Sequence, residues 1–252
     1  MNNSSNVTRR YRRSAQVFRV ILLCLSFGSS ASQAYNFHED ITELEYLSSS
    51  SMCKLAISSW NANNNYALAF VPRVAKDKDR QDLIHSVGGW HYCGGAIKIS
   101  RADMASTKEE KKRYLESGLA DAHYSYKTID KNNPWAAEMG TTIALGFSKL
   151  NMLDKAYEYL DSVLKYHPNY RLGYLTYGLI YYRNKDYLSA QTYFQKANKV
   201  GGKASAEATY FLGLVAVKLN DIEGAKRYAL QAKQLGYPLT GLDRLIARSQ
   251  NK

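Results

Sequence analysis

From Ala137 to Leu235 the apolar residues recur at spacings of three and four, the period of helices that bury one face. Short polar turns divide this region into six predicted helices: Ala137 to Lys149, Asp154 to Tyr166, Leu172 to Arg183, Tyr187 to Lys199, Ala206 to Leu219, and Ile222 to Leu235. A seventh, Thr240 to Ser249, carries Leu242, Leu245 and Ile246 on one face and suits an end cap. Upstream, helices are predicted from Ser51 to Trp60, across the glycine-containing stretch Ser86 to Ala102, and from Lys111 to Ile129. The glycine pairs Gly88-Gly89 and Gly94-Gly95 are read as points inside a helix where a neighbour can cross closely. A polar stretch at Ser48 to Ser51, an Asn-rich turn at Asn61 to Asn65 and a charged KDKDR loop separate these elements. The expected fold class is all-α.

The helices repeat. Small residues stand at Ala144, Gly178 and Gly213, and again at Ala156, Ala190 and Ala225, with steps of 34 and then 35 residues. Phe147, Tyr181 and Ala216 keep the register, as do Leu160, Phe194 and Ala229, and Val163, Ala197 and Ala232. A fixed period of this length marks an array of supersecondary units. Its chemistry is steric, because paired small residues let two helix backbones approach while larger neighbours fill the flanks. Asn151, Asn184 and Asn220 are expected to supply left-handed backbone at the turns. Asn133-Pro134 reads as an N-cap with a first-turn proline.

At Tyr174, Gly178, Tyr181, Ala190, Phe194 and Ala197 the chain resembles the tetratricopeptide repeat family. Pro168 closes the first unit, Gly202 the second, and Pro238 follows the third one residue late. Gly140 departs from the family pattern, where a large residue is usual, which implies loose packing of that turn. Ala122 and Pro134 lie 34 residues before Ala156 and Pro168 and imply a further half-unit, of which only the second helix is legible. The resemblance implies a helix-turn-helix solenoid with an irregular helical N-terminal cap. Its divisions would be a cap over 35–103, a half-repeat and connection over 104–133, units at 134–168, 169–203 and 204–238, and a capping helix over 240–249.

Charge alters this picture only slightly. The chain of 252 residues carries a formal +12, but five arginines and no acid fall within the first 34 residues, and without them 29 basic side chains face 22 acidic ones, a net +7. No nucleic-acid partner is expected from so mild an excess. Residues 1–34 join a basic stretch, an apolar run from Val20 to Phe27 and a tail of small residues, the three-part form of a secretory signal cleaved after Ala34. A mitochondrial presequence shares the Arg-rich, acid-free composition and is the alternative address. Cys24 follows Ile-Leu-Leu and lacks the small residue that precedes a lipid-attachment cysteine. The apolar run is shorter than the roughly 20 residues needed to span a bilayer, so no anchor is expected in the mature chain. Cleavage leaves Cys53 and Cys93, most simply a disulfide in an exported protein, and otherwise two buried thiols in a reducing compartment. Such a bond restricts the unfolded chain by roughly 4 kcal/mol on the loop-entropy account. A first helix with one cysteine and a second with His91-Tyr92-Cys93 and an Arg101-Ala102 step resembles the cap of some exported bacterial tetratricopeptide repeat proteins. That resemblance implies the bond and a bacterial envelope location, with the periplasm the expected compartment.

Candidate chemistry is sparse. His85, His91 and Cys93 are close in sequence, but histidines six apart share a helical face poorly, and no CxxC is present. A metal- or thiol-dependent enzyme on these three residues is the least favoured reading, with His91 and Tyr92 read instead as packing partners of the cystine. His38-Glu39-Asp40 lacks the second histidine of a metalloprotease helix. No cofactor or metal is expected, and the protein is read as non-catalytic. The functional signal is a groove lined by the first helices of successive units: Leu145 and Lys149 from the first, Leu175, Leu179, Tyr182 and Arg183 from the second, Tyr210, Leu214 and Lys218 from the third. Glu138, Thr141, Ser148, Leu172, Glu207 and Val217 extend these rows. An apolar floor with basic rungs suits a protein ligand, as a helix or extended peptide that brings a carboxylate. Family members that grip a terminal carboxylate use Lys and Asn where Thr141 and Leu145 stand here, which disfavours that ligand. Two alternatives stay open. The row could be covered by the chain's own ends, or the protein could act as an accessory to an envelope enzyme or secretion machine through its N-terminal region.

Overall fold

The computed structural model describes residues 41–60, 85–238 and 240–250, all within the unit Tyr35–Lys252. The predicted signal at 1–34, the His38-Glu39-Asp40 triplet, the Asn-rich turn and the KDKDR loop lie outside the described residues. Among those described, the protein is all α, with eleven α-helices, one 3-10 turn and no strand. None of these helices is long and apolar enough to cross a membrane.

The helices are α1 (Glu43–Ser48), α2 (Ser51–Trp60), α3 (Gly89–Arg101), α4 (Lys108–Thr128), α5 (Pro134–Lys149), α6 (Leu153–Tyr166), α7 (Arg171–Arg183), α8 (Tyr187–Lys199), α9 (Ala206–Lys218), α10 (Ile222–Gln234) and α11 (Gly241–Gln250). Consecutive helices pack as hairpins, α3 on α4, α5 on α6, α7 on α8 and α9 on α10, and each hairpin touches the next. The last helix, α11, rests on α9 and α10 and buries Leu242 and Ile246.

The register of small residues explains this packing. Ala122, Ala156, Ala190 and Ala225 are all fully buried, one in the second helix of each hairpin. Across from them, a Cβ built on Gly178 would stand 2.4 Å from a ring carbon of Phe194, so the ring occupies space that only glycine leaves. Tyrosines then join the middle hairpins: Tyr177 of α7 stacks on Tyr193 of α8 at 4.4 Å between ring centroids, and Tyr157 of α6 stacks on Tyr181 of α7 at 5.3 Å. Gly140 corrects an expectation. The Val163 methyl and the Tyr126 ring fill the space beside it, so the turn is tightly packed rather than loose.

Two further elements differ from the sequence reading. The helix predicted across Ser86 to Ala102 and assigned to the cap is present as α3, and it packs on α4. The Gly95 and Gly118 backbones approach so closely that a Cβ on either would fall within 3 Å of the other's carbonyl oxygen. Gly88 lies outside the helix interior, in left-handed backbone (φ 62°) as the N-cap of α3. Its missing side-chain cap is replaced from α4 by Ser125, whose hydroxyl donates to the Gly88 carbonyl at 2.6 Å and accepts the Tyr92 N–H at 3.1 Å. Short α1 was not predicted, although Thr42 and Glu45 form a reciprocal capping box at its start.

The turns keep the period more strictly than the residue types do. Positive φ falls at Asn151 (60°), Lys185 (65°) and Asn220 (62°), and not at Asn184, whose side-chain amide instead donates to the Ile180 carbonyl. Helix length places the left-handed residue one position later than the asparagine. Left-handed backbone costs a residue such as lysine about 1 kcal/mol or more. Lys185→Asn should therefore raise stability by about 1 kcal/mol, read as a higher urea midpoint at unchanged slope. Conversely, Gly178→Val should destabilise by about 2 kcal/mol because the Phe194 ring has to move, and equal melting temperatures for variant and wild type would refute that packing argument.

Candidate functional site

A disulfide joins Cys53 of α2 to Cys93 of α3 across 40 residues. Bonds of this kind form and persist in oxidising compartments. Beside it the Arg101 guanidinium grips Glu45 of α1 with two hydrogen bonds, Nε to Oε1 at 2.5 Å and Nη2 to Oε2 at 2.8 Å. The Glu45 carboxyl is held below its usual range, chiefly by this hydrogen bond from Arg101. One covalent and one ionic contact thus fasten α1 and α2 against α3.

These helices, together with α5 and the start of α7, line a half-open cavity of about 480 Å3. At one end, Lys149 donates to the Ile99 carbonyl at 3.1 Å and to the Asp103 carboxylate at 2.7 Å, with its side chain only 5% exposed. Burial pushes the Lys149 ammonium downward in pKa, while Asp103 opposes that shift. Toward the other end, the Tyr92 hydroxyl donates to Glu138 at 2.9 Å and lies 3.0 Å from the Thr142 hydroxyl. With the Tyr92 proton directed at the carboxylate, Thr142 is the donor in the second bond. Burial, then the Glu138 charge, raises Tyr92 well above an ordinary phenol. Tyr170, which also lines the cavity, is raised to about 12 by the same two causes in the same order.

The predicted groove residues sort by depth. Leu175 and Tyr210 are buried, at 2% and 8% exposure, and belong to the core. Tyr210 packs against Tyr237 at 4.4 Å between ring centroids, so the C-terminal segment covers this position. Lys149 is sequestered by Asp103 rather than presented as a rung, and Thr141 is buried with its hydroxyl donating to the Ala137 carbonyl. Leu145, Leu179 and Leu214 are half-buried, as are Ser148, Tyr182 and Val217, and Arg183 and Lys218 are exposed. Only Leu145, Lys149, Glu138 and Leu172 of the anticipated row reach the cavity. Its other polar groups, from Tyr92, Thr142, Tyr170 and Glu45, were missed because no local pattern ties residues so far apart in sequence.

The His85, His91 and Cys93 set does not converge. The Cys93 sulfur is bonded to Cys53, His85 lies beside the Trp90 ring, and His91 packs on Tyr124 at 4.6 Å between centroids. Among the described residues no three His, Cys, Asp or Glu side chains gather as a metal-binding group. Tyr92, read as a packing partner of the cystine, is buried in the same cluster as Cys53 and Cys93 and places its hydroxyl on Glu138. The chain matches no protein-family model and no curated protein.

The Glu45–Arg101 contact carries a signed pH dependence. Because the folded pKa of Glu45 lies below the usual 4.5, its contribution is complete above that pH and is lost as pH falls through the depressed folded value. Arg101→Met should lower the melting temperature at neutral pH, and the gap from wild type should close as acid protonates Glu45. A gap independent of pH would show that Arg101 acts through packing alone.

Proposed function

We propose that this chain is a non-catalytic scaffold of the tetratricopeptide repeat kind, exported to the bacterial periplasm. Its hairpins would stack as a solenoid of three units, 134–168, 169–203 and 204–238, closed by the helix at the C-terminus. The first helices α5, α7 and α9 line its groove and receive a helix or extended peptide from a protein partner.

One observation carries the reading: side-chain exposure repeats in register along these three helices. Thr141, Leu175 and Tyr210 are buried, whereas Leu145, Leu179 and Leu214, then Ser148, Tyr182 and Val217, are half-buried at each step. Recurrence of the same half-buried positions in the first helices of three successive hairpins supports a shared face, and an apolar strip of that kind suits the alternate side chains of one bound segment. Covalent fastening of the N-terminal helices supports an oxidising compartment and, with the signal-like first segment, the periplasm in particular.

The test is selective loss of binding. Peptides enriched from a random display library against the oxidised protein should bind a Leu179→Glu, Arg183→Glu double variant at least about tenfold more weakly, with its circular-dichroism melt preserved. If the enriched peptides bind both proteins equally, the groove is not the site.

A further inference from the structure

Three carboxylates line the cavity between α1, α3 and α5, and they are not equivalent. Glu45 is neutralised by Arg101, and Asp103 by Lys149. Glu138 has no cation within ion-pair distance among the described residues and receives only the Tyr92 hydroxyl at 2.9 Å. Among the described residues the cavity therefore holds one carboxylate without a paired cation, with the Tyr92 hydroxyl bonded to it and Tyr170 in the same lining.

We propose that the Glu138 end of this cavity is a pocket for a cationic side chain, arginine in the first instance, of the segment that lies in the groove. This proposal rests on the groove reading above and adds the chemistry of the ligand. A carboxylate offers about four acceptor positions, and the single bond from Tyr92 leaves most of them for an incoming donor. A guanidinium matches that need with a planar fork of N–H donors, and its flat face also lies well on a tyrosine ring.

Size and order agree. The volume of about 480 Å3 lies within the range of small-ligand pockets, enough for one long side chain and its adjoining backbone but not for a helix. The carboxylate is also held in advance, because the Thr142 to Tyr92 to Glu138 chain of hydroxyls orients it before any ligand arrives. Thr142 and Glu138 lie one turn apart on α5, and Leu145 and Lys149 continue the same helix along the cavity wall. A peptide following α5 would thus place its arginine at Glu138 with its backbone beside Leu145.

N-acetyl-arginine methylamide and its neutral isostere N-acetyl-citrulline methylamide, titrated into the full oxidised chain, test the assignment by amide NMR shifts. The arginine probe should shift the amides of Tyr92, Glu138 and Thr142 saturably, with affinity about tenfold above citrulline. Glu138→Gln keeps an acceptor for Tyr92, so it should fold normally and bind the two probes alike. Equal binding of both probes to wild type, a preference that survives Glu138→Gln, or no shift at these amides would each overturn the cationic pocket. The groove reading fails separately. It stands if library-selected peptides still lose binding to the Leu179→Glu, Arg183→Glu variant, whatever the arginine probe does.

Discussion

Close approach of helix backbones at small residues is the constraint on which the molecule depends. Ala122, Ala156, Ala190 and Ala225 have no side chain beyond a methyl group, and each is completely buried where two helices of a hairpin meet. Any larger residue there would push the pair apart, and the displacement would carry into the next hairpin because each contacts its neighbour. The aromatic rings stacked between α6, α7 and α8 are possible only because the helices already lie close. Half-buried positions along α5, α7 and α9 recur in the same register.

The N-terminal helices follow different rules. They lack the period, and α1 is only six residues long, too short to persist alone in water. A disulfide and a bidentate ion pair reinforce a shared core, in which Tyr46, Met52, Leu55 and Ala56 are buried with Ile99, Leu115 and Met139. The consequence is a wall facing α5 that closes one end of the half-open strip. It turns a shallow surface into a cavity whose polar groups come from four separate stretches of chain. Among the described residues, Glu45 and Asp103 each pair with a cation there and Glu138 does not.

Periodicity alone located the helices from α5 to α11 to within about three residues at each end, since a helix that buries one face must repeat apolar residues at its own pitch. The same reasoning found α2, and the cysteine count pointed to the Cys53–Cys93 bond. It failed where a local signal was short or where the period was broken. The capping box of α1 went unread, the helix across Ser86 to Ala102 reads as part of the cap without its pairing with α4, and Lys185 took the turn position expected for Asn184.

Linear pattern thus determined helix content, the 34- and 35-residue steps and the positions of small residues, because each follows from spacing along one chain, whereas the bond between Cys53 and Cys93 is one of two readings until the structure joins them. Tertiary structure alone decided which groove residues remain open, that Lys149 is sequestered by Asp103, that Ser125 caps a helix from another element, and that Tyr92 and Thr142 orient Glu138. Those outcomes depend on side chains 33 to 50 positions apart meeting in space, and no periodicity encodes which of them will touch.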